Sequence, residues 1–460
     1  MKITVDIRDF GAVECERLQT ESIQRAIDHV FSLGGGEVQI PRGTFATGGI
    51  RLRSNITLHL LEGAILKGSQ NPEDYYSCYT CDKVEPLEEG RITDAPYVHL
   101  GGIKGETEYK EYDENYRFRR LPGSRWNNAL IRAIDAENVT IIGEKDSFID
   151  GNNCFDELGE EYYRGPHAIT FFNCKNIKFS GYSIINSANW AHNMLFCENL
   201  SMDHVKVYGG HDGFDAFSSK NITIKNCEFY TGDDCVAGFG NVNVLVADSV
   251  LNSSCSAMRF AGTNVLVRNC KMFGPGKYLF RGKMNPEDKR NCKPSPKPGR
   301  NMLSAFTYYA DYSMPIPELP GNIVIKDCMF KNVDRFLHYN FSGNETWQRH
   351  RPMSDITFEN IKAEGIGMAL NAYGREDSPL ELTLKNIDIS VREDSEVTEL
   401  IKSAHCKRIT LENLKLENFI GDCIVRTLTD VNVVSDNVIA LLEKSDFVKK
   451  HYEDFKIKSI

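Results

Sequence analysis

Asn176-Ile177-Lys178-Phe179, Asn199-Leu200-Ser201-Met202, Asn221-Ile222-Thr223-Ile224, Asn243-Val244-Leu245-Val246 and Asn264-Val265-Leu266-Val267 repeat one pattern: an asparagine, then alternating apolar residues. The steps between them are 23, 22, 22 and 21 residues. Earlier copies begin at Asn55 and Asn138, and later ones at Asn322, Asp355 and Arg408. Alternation with period two marks a half-buried strand. A step of this length holds two or three short strands and their turns, and none contains a helical stretch of ten residues. Leucine-rich, ankyrin and tetratricopeptide arrays need helices and are excluded. A propeller blade needs about 40 residues per repeat. The spacing therefore predicts an all-β, single-domain parallel β-helix over 1–460, whose coils stack and bury their inward side chains. Asparagine suits the turns because its amide bonds backbone groups and it tolerates left-handed geometry.

Working outward, Ile23, Ala26, Ile27, Val30 and Phe31 recur at helical spacing, so residues 20–32 read as an N-terminal capping helix. Residues 436–452 read as a second, C-terminal capping helix. Two segments break the period, 70–126 and 277–320, and are expected to be cleft-forming loop insertions. Tyr308 and Tyr309, in the second, are candidate cleft walls.

The chain has 460 residues, 41% hydrophobic and 26% charged, which is a globular composition. Its formal net charge of -10 argues against a nucleic-acid partner. No apolar run reaches the roughly 20 residues of a membrane span. The N-terminal stretch lacks an apolar signal-peptide core, so a cytoplasmic location is expected, with substrate imported as fragments. Fourteen cysteines in such a chain read as reduced thiols, mostly small buried hydrophobes. The isolated Cys78-Tyr79-Thr80-Cys81 gives no metal site, and no cofactor is expected. Nothing in the sequence sets the oligomeric state.

Three acids stand out. Gly210-His211-Asp212-Gly213 lies between two repeats, and Gly232-Asp233-Asp234-Cys235 between the next two. Asp212 and Asp233 are 21 residues apart, one coil, so stacking is expected to gather three carboxylates on one face. Neighbouring carboxylates raise one another's pKa and share a proton. Glycoside hydrolysis wants one protonated acid and one ionised carboxylate. A calcium site and simple turn chemistry are the alternatives that spacing leaves open.

These motifs resemble the family 28 glycoside hydrolases, the polygalacturonase type. The resemblance runs from Asp6-Ile7-Arg8-Asp9-Phe10-Gly11-Ala12 to about residue 285. It implies a right-handed β-helix, inverting hydrolysis without metal, Asp233 as general acid, and Asp212 with Asp234 activating water. Two departures matter. Ser254-Cys255-Ser256-Ala257 stands where the family keeps a Gly-His-Gly, so His211, His192 and His167 are candidates to stand in. The family's carboxylate-gripping Arg-Ile-Lys has its best counterpart in Phe280-Arg281-Gly282-Lys283, with Arg259 as a further candidate. Met258 and Phe260 should point inward, which turns Arg259 and Cys255 outward. Lys283 to Arg300 holds six Lys/Arg against Glu287 and Asp288, a local basic loop in an acidic protein.

The resulting expectation is a glycosidase acting in exo fashion, with inversion, on a pectin-like or other uronic-acid oligosaccharide. The exo mode follows from loops that would block the ends of a cleft. A β-eliminating lyase, a non-catalytic carbohydrate-binding β-helix and hydrolysis of a neutral linkage are the rivals, since fold alone does not choose among them.

Overall fold

A computed structural model describes residues 3–77, 125–291, 299–310, 319–341, 348, 351–395, 397–421, 423–441, 450–451 and 458–459. The chain packs as two compact units. The first comprises Met1–Gly232, Tyr278–Pro294 and Tyr312–Pro315, and the second Asp233–Lys277, Ser295–Asp311 and Ile316–Ile460. The sequence offers no linker, so a single domain was the expectation. A solenoid has no single centre, because each coil contacts only its neighbours, and division can fall at any coil. Here it falls inside Gly232-Asp233-Asp234-Cys235.

In the first unit, three parallel sheets form the coil faces. One stacks Glu137–Gly143, Lys175–Ser180, Glu198–Asp203 and Lys220–Lys225. A second stacks Phe148–Asp150, Ser183–Ile185, Lys206–Gly209 and Glu228–Thr231. The third stacks Asn128–Ile134, His167–Phe172, His192–Leu195 and Phe214–Phe217. Register aligns like with like: Val139, Ile177, Leu200 and Ile222 form one inward ladder, all but sealed from solvent. Each such side chain contributes roughly 1.5–3 kcal/mol of burial.

The helix expected at 20–32 is α1, Thr20–Ser32, which buries Ile23, Ala26, Ile27 and Val30 against the first coils. In the second unit, Gly321–Lys331, Asp355–Ile366, Leu380–Val391, Cys406–Glu417 and Asn432–Leu441 stack in parallel. A second face stacks Ser256–Arg268, Met302–Tyr308, Val333–Asn340, Leu370–Tyr373, Glu399–Ala404 and Cys423–Thr427.

Two expectations are corrected. Residues 436–441 are strand, part of Asn432–Leu441, because Val438 is an inward rung over Leu414. The rest of the expected C-terminal helix lies outside the described residues, apart from a short strand at Lys450–His451. The insertion assigned to 277–320 contains a coil strand, Met302–Tyr308, whose Met302 and Phe306 are core. Tyr308 is fully buried, with its hydroxyl donating to the Arg351 carbonyl, and so is core as well. Most of the 70–126 segment, including Cys78 and Cys81, lies outside the described residues.

The asparagines hold the turns as their chemistry suggests. Asn138, Asn176, Asn199 and Asn221 all have φ between 55° and 58°, the left-handed region. Each amide donates to the side-chain oxygen of the asparagine one coil back, at 2.8–3.1 Å, starting from Asn55. A second ladder, Asn360, Asn386, Asn413 and Asn437, is built the same way. Among the described residues no helix is long and apolar enough to cross a membrane, and no cysteine is disulfide-bonded.

Candidate active site

Asp212 belongs to the first unit and the Asp233–Asp234 pair to the second. In the first unit, the turn Gly210–Gly213 joins strands Lys206–Gly209 and Phe214–Phe217. Its main chain is anchored by Ala191 N–H donating to the Asp212 carbonyl at 2.9 Å. His192 anchors it again from inside the coil. Its Nδ1 lies 3.0 Å from the Gly213 carbonyl, and its Nε2 lies 3.0 Å from the Tyr182 hydroxyl. A carbonyl only accepts, so Nδ1 carries the proton and Nε2 accepts from Tyr182. His192 is wholly buried among Phe179, Tyr182 and Phe214. Burial pushes its pKa down to about 4, with the Gly213 bond opposing. His192 is thus a core histidine that positions the Asp212 turn, not the cleft histidine that the sequence suggested.

His167 also lies in the core, fully buried, edge-on to Trp126 at 4.8 Å and 5.4 Å from Trp190. His211 differs. It is 3% exposed, its ring lies 5.8 Å from that of Tyr163, and its Nδ1 has no hydrogen-bond partner among the described residues. Burial, then the charges of Arg164 and Arg281, hold it well below the usual histidine range. It is a neutral imidazole at neutral pH.

Sequence reasoning missed Arg164. It is 1% exposed, lies 3.6 Å from carboxylate oxygens of both Glu160 and Glu161, and donates to Asn189 Oδ1 at 3.2 Å. No periodic signal marks it, because it sits in an irregular segment ahead of Gly165-Pro166. Arg281, the sequence candidate, reaches the same cluster and pairs with Glu161 at 3.5 Å. Lys283 is exposed at the end of the Arg281–Lys283 turn. Gly232 packs tightly against this turn within the first unit. A Cβ there would collide with the Leu279 carbonyl and lie 2.6 Å from that of Gly210.

In the second unit, Asp233 and Asp234 are 3% and 1% exposed. Ser253 Oγ donates to the Asp233 carbonyl at 2.5 Å and accepts from Cys255 N–H at 2.7 Å, locking the two turns together. Ser256 N–H donates to Asp234 Oδ1 at 3.0 Å. Burial, then the neighbouring Asp233, pushes the Asp234 carboxyl up to about 6. Arg259, half-buried between core residues Met258 and Phe260, opposes that shift and lies 4.1 Å over the Tyr309 ring. It faces outward as its place between two inward residues predicts. Cys255 packs against this pair, with its thiol hydrogen-bonded to Asp234. Burial, then Asp234 and Asp233, hold the thiol well above its ordinary value. It stands in the stretch where the resemblance expects histidine. The ligand atoms of Asp233, Asp234 and Cys255 lie within 4.8 Å of one another, a grouping that could hold a divalent ion.

Fold and residues together define a right-handed parallel β-helix with buried carboxylates in its coil turns. Among solved structures, a hyperthermoactive exopolygalacturonase from Thermotoga maritima is similar in fold, with TM-score 0.60 and 20% identity. The match covers 92% of this chain and 91% of that one. The family 28 exopolygalacturonase of Yersinia enterocolitica gives TM-score 0.54 at 17% identity, over 94% and 78% of the two chains.

The model of the Glycosyl hydrolases family 28 matches residues 103–256, about a third of the chain. The exo-poly-alpha-D-galacturonosidase of Dickeya chrysanthemi is 27% identical over 260 residues, 51% of this chain and 42% of that protein. A probable polygalacturonase of Vitis vinifera is 25% identical over 241 residues, 50% of this chain and 43% of that protein. The chain thus spans less than half the length of the curated relatives it matches.

Proposed function

We propose that the protein is a glycosidase that hydrolyses galacturonan-type, uronic-acid-containing chains from one end, with inversion. The observation that carries this reading is the buried Asp233–Asp234 pair, whose one member is held protonated up to about pH 6. Two adjacent buried carboxyls share a proton, and the titration belongs to the pair. Asp233 would deliver a proton to the glycosidic oxygen as the bond to the anomeric carbon breaks. Asp234 and Asp212 would take the proton of the water that attacks the opposite face of that carbon. The supporting argument for Asp212 is its one-coil spacing from Asp233 in the sequence. His211, neutral and with an open Nδ1, would bond a sugar hydroxyl, and Arg281 would face a sugar carboxylate. Exo action is supported by the relatives named above.

The test is proton NMR of trigalacturonate and polygalacturonate incubated with wild type and with Asp233→Asn. Expected is a monomeric product of inverted configuration with wild type, and a loss of at least about a hundredfold in the variant. Internal cuts as fast as end cuts would remove the exo assignment.

A β-eliminating lyase is the second reading, and the Asp233, Asp234 and Cys255 ligand grouping is the observation in its favour. Chelator-sensitive release of an unsaturated product absorbing in the ultraviolet would replace hydrolysis by elimination.

A further inference from the structure

Beside His211, in the first unit, the chain runs through a tightly closed loop. Glu161 and Tyr162 are successive non-glycine residues in the left-handed region, with φ 53° and 60°. Residues with a Cβ adopt that geometry at a cost, and it persists only where the surroundings fix it. Here they do. Asp156 N–H donates to the Tyr163 carbonyl at 3.2 Å, Tyr162 N–H to that of Gly159 at 3.1 Å, and Arg164 N–H to that of Glu160 at 3.1 Å. A Cβ on Gly159 would collide with the Arg164 carbonyl. Arg125 ties the base of the loop, 3.1 Å from Asp156.

The strained backbone places one carboxylate. Glu161 Oε1 stands between two guanidiniums, 3.6 Å from Arg164 Nη2 and 3.5 Å from Arg281 Nε. The two arginines are not alike. Arg164 is 1% exposed and is held besides by Glu160 at 3.6 Å and by Asn189 at 3.2 Å. Arg281 keeps 33% of its side chain exposed, and Glu161 keeps 38%. A charge-assisted hydrogen bond closes to about 2.7–2.9 Å. At 3.5 Å the Arg281–Glu161 pair is looser than that, and a partly solvated pair of this kind contributes little and parts easily. Arg164 and Arg281 both hold down the His211 pKa, so this pair borders the imidazole assigned above to a sugar hydroxyl.

We infer that Glu161 is a resident competitor: its carboxylate occupies Arg281 until the carboxylate of a ligand displaces it. Nε is one corner of the side-on fork that a carboxylate grips, so Glu161 and an incoming acid exclude each other from that edge. Once displaced, Glu161 still has Arg164 as a partner, so no buried charge is stranded. Glu161 thus lowers the affinity for the acid it resembles and eases the release of an acidic product. The role of Glu161 rests on the reading of Arg281 as the residue that faces a sugar carboxylate, and adds to it the group that must first leave.

The experiment is isothermal titration calorimetry of the full chain with trigalacturonate, with Asp233→Asn in every background to stop turnover. Glu161→Gln removes the charge at nearly constant size. Glu161→Gly removes the side chain from a backbone that glycine adopts freely. Glu157→Gln is the control: the same loop and the same charge, but 3.9 Å from Arg290 instead of beside Arg281. Expected is binding tightened about threefold to fivefold by both Glu161 changes, and by less than half as much by Glu157→Gln. With Arg281→Gln also present, the gain from Glu161→Gln should vanish. Affinity unchanged or weakened by Glu161→Gln overturns the competitor. An equal gain from Glu157→Gln, a gain that survives Arg281→Gln, or an absence of binding throughout overturns it as well. Galacturonan hydrolysis by wild type together with any of these results leaves the hydrolase and removes the competitor. The expected gains, in a protein whose wild type cleaves no galacturonan, do the reverse.

Discussion

Asp234 shows how a single carboxyl records its surroundings. Its pKa is raised by burial first and by Asp233 second, so its charged form is disfavoured in the folded protein. The stability attached to a raised pKa is full below the unfolded value of about 4 and is lost as pH rises through about 6. Asp234→Asn keeps an acceptor for Ser256 N–H and removes the charge. The variant should therefore gain on wild type by up to roughly 3 kcal/mol at pH 8, and by little at pH 4. Urea unfolding at the two pH values checks this. A gain that is equal at both would place the cause outside ionisation. Cys255 gives a second prediction at this scale. The thiolate is the reactive form, and burial beside two carboxyls suppresses it. Mass spectrometry after iodoacetamide at pH 8 should find Cys255 unmodified in native protein and modified in denaturant.

The turn asparagines act at the scale of the element. Each combines a left-handed φ with an amide bond to the coil before it, as in Asn199, with φ 58° and 3.0 Å to Asn176. Asn199→Ala loses both and should cost about 2 kcal/mol. Asn199→Gly keeps the conformation and should cost about half as much. Thermal unfolding of the two variants separates backbone geometry from the ladder bond, and equal losses would show that the bond alone matters. The same scale explains an error of reading. Val438, Ile439, Leu441 and Leu442 look helical by spacing, yet residues 432–441 are strand. A neighbouring coil offers a finished strand edge and an apolar rung at Leu414, and that pairing overrides local periodicity.

At the scale of the whole molecule, acid should be a destabilising condition with a definable cause. His192 and His211 are both buried and both held below their usual pKa. A depressed histidine contributes stability that is full above the unfolded value of about 6.5 and is lost as pH falls through the folded one. For His192, folded near 4, that loss is about 3 kcal/mol between pH 6.5 and 4. The unfolding midpoint should fall over this window, and His192→Gln should flatten the fall while lowering the midpoint at pH 7. The neutral-pH loss arises because Tyr182 and Gly213 surrender well-aligned partners. An unchanged acid slope in the variant would remove His192 as the cause.

The sequence by itself determined the coil repeat, the inward ladders, the turn asparagines and the helix over α1, because each depends on contacts one strand or one turn away. It also marked Asp212, Asp233, Asp234 and Arg281 by motif and spacing, and it placed Arg259 outward by alternation. Only the tertiary structure decided which histidine serves the core and which keeps an open nitrogen. Identical side chains differ there through burial and partners supplied by distant segments. Arg164 beside His211 and Cys255 against Asp234 are likewise products of stacking. Their members lie roughly 20 to 50 residues apart in the chain, or in irregular segments with no period, and adjacency between coils is a property that only the folded register creates.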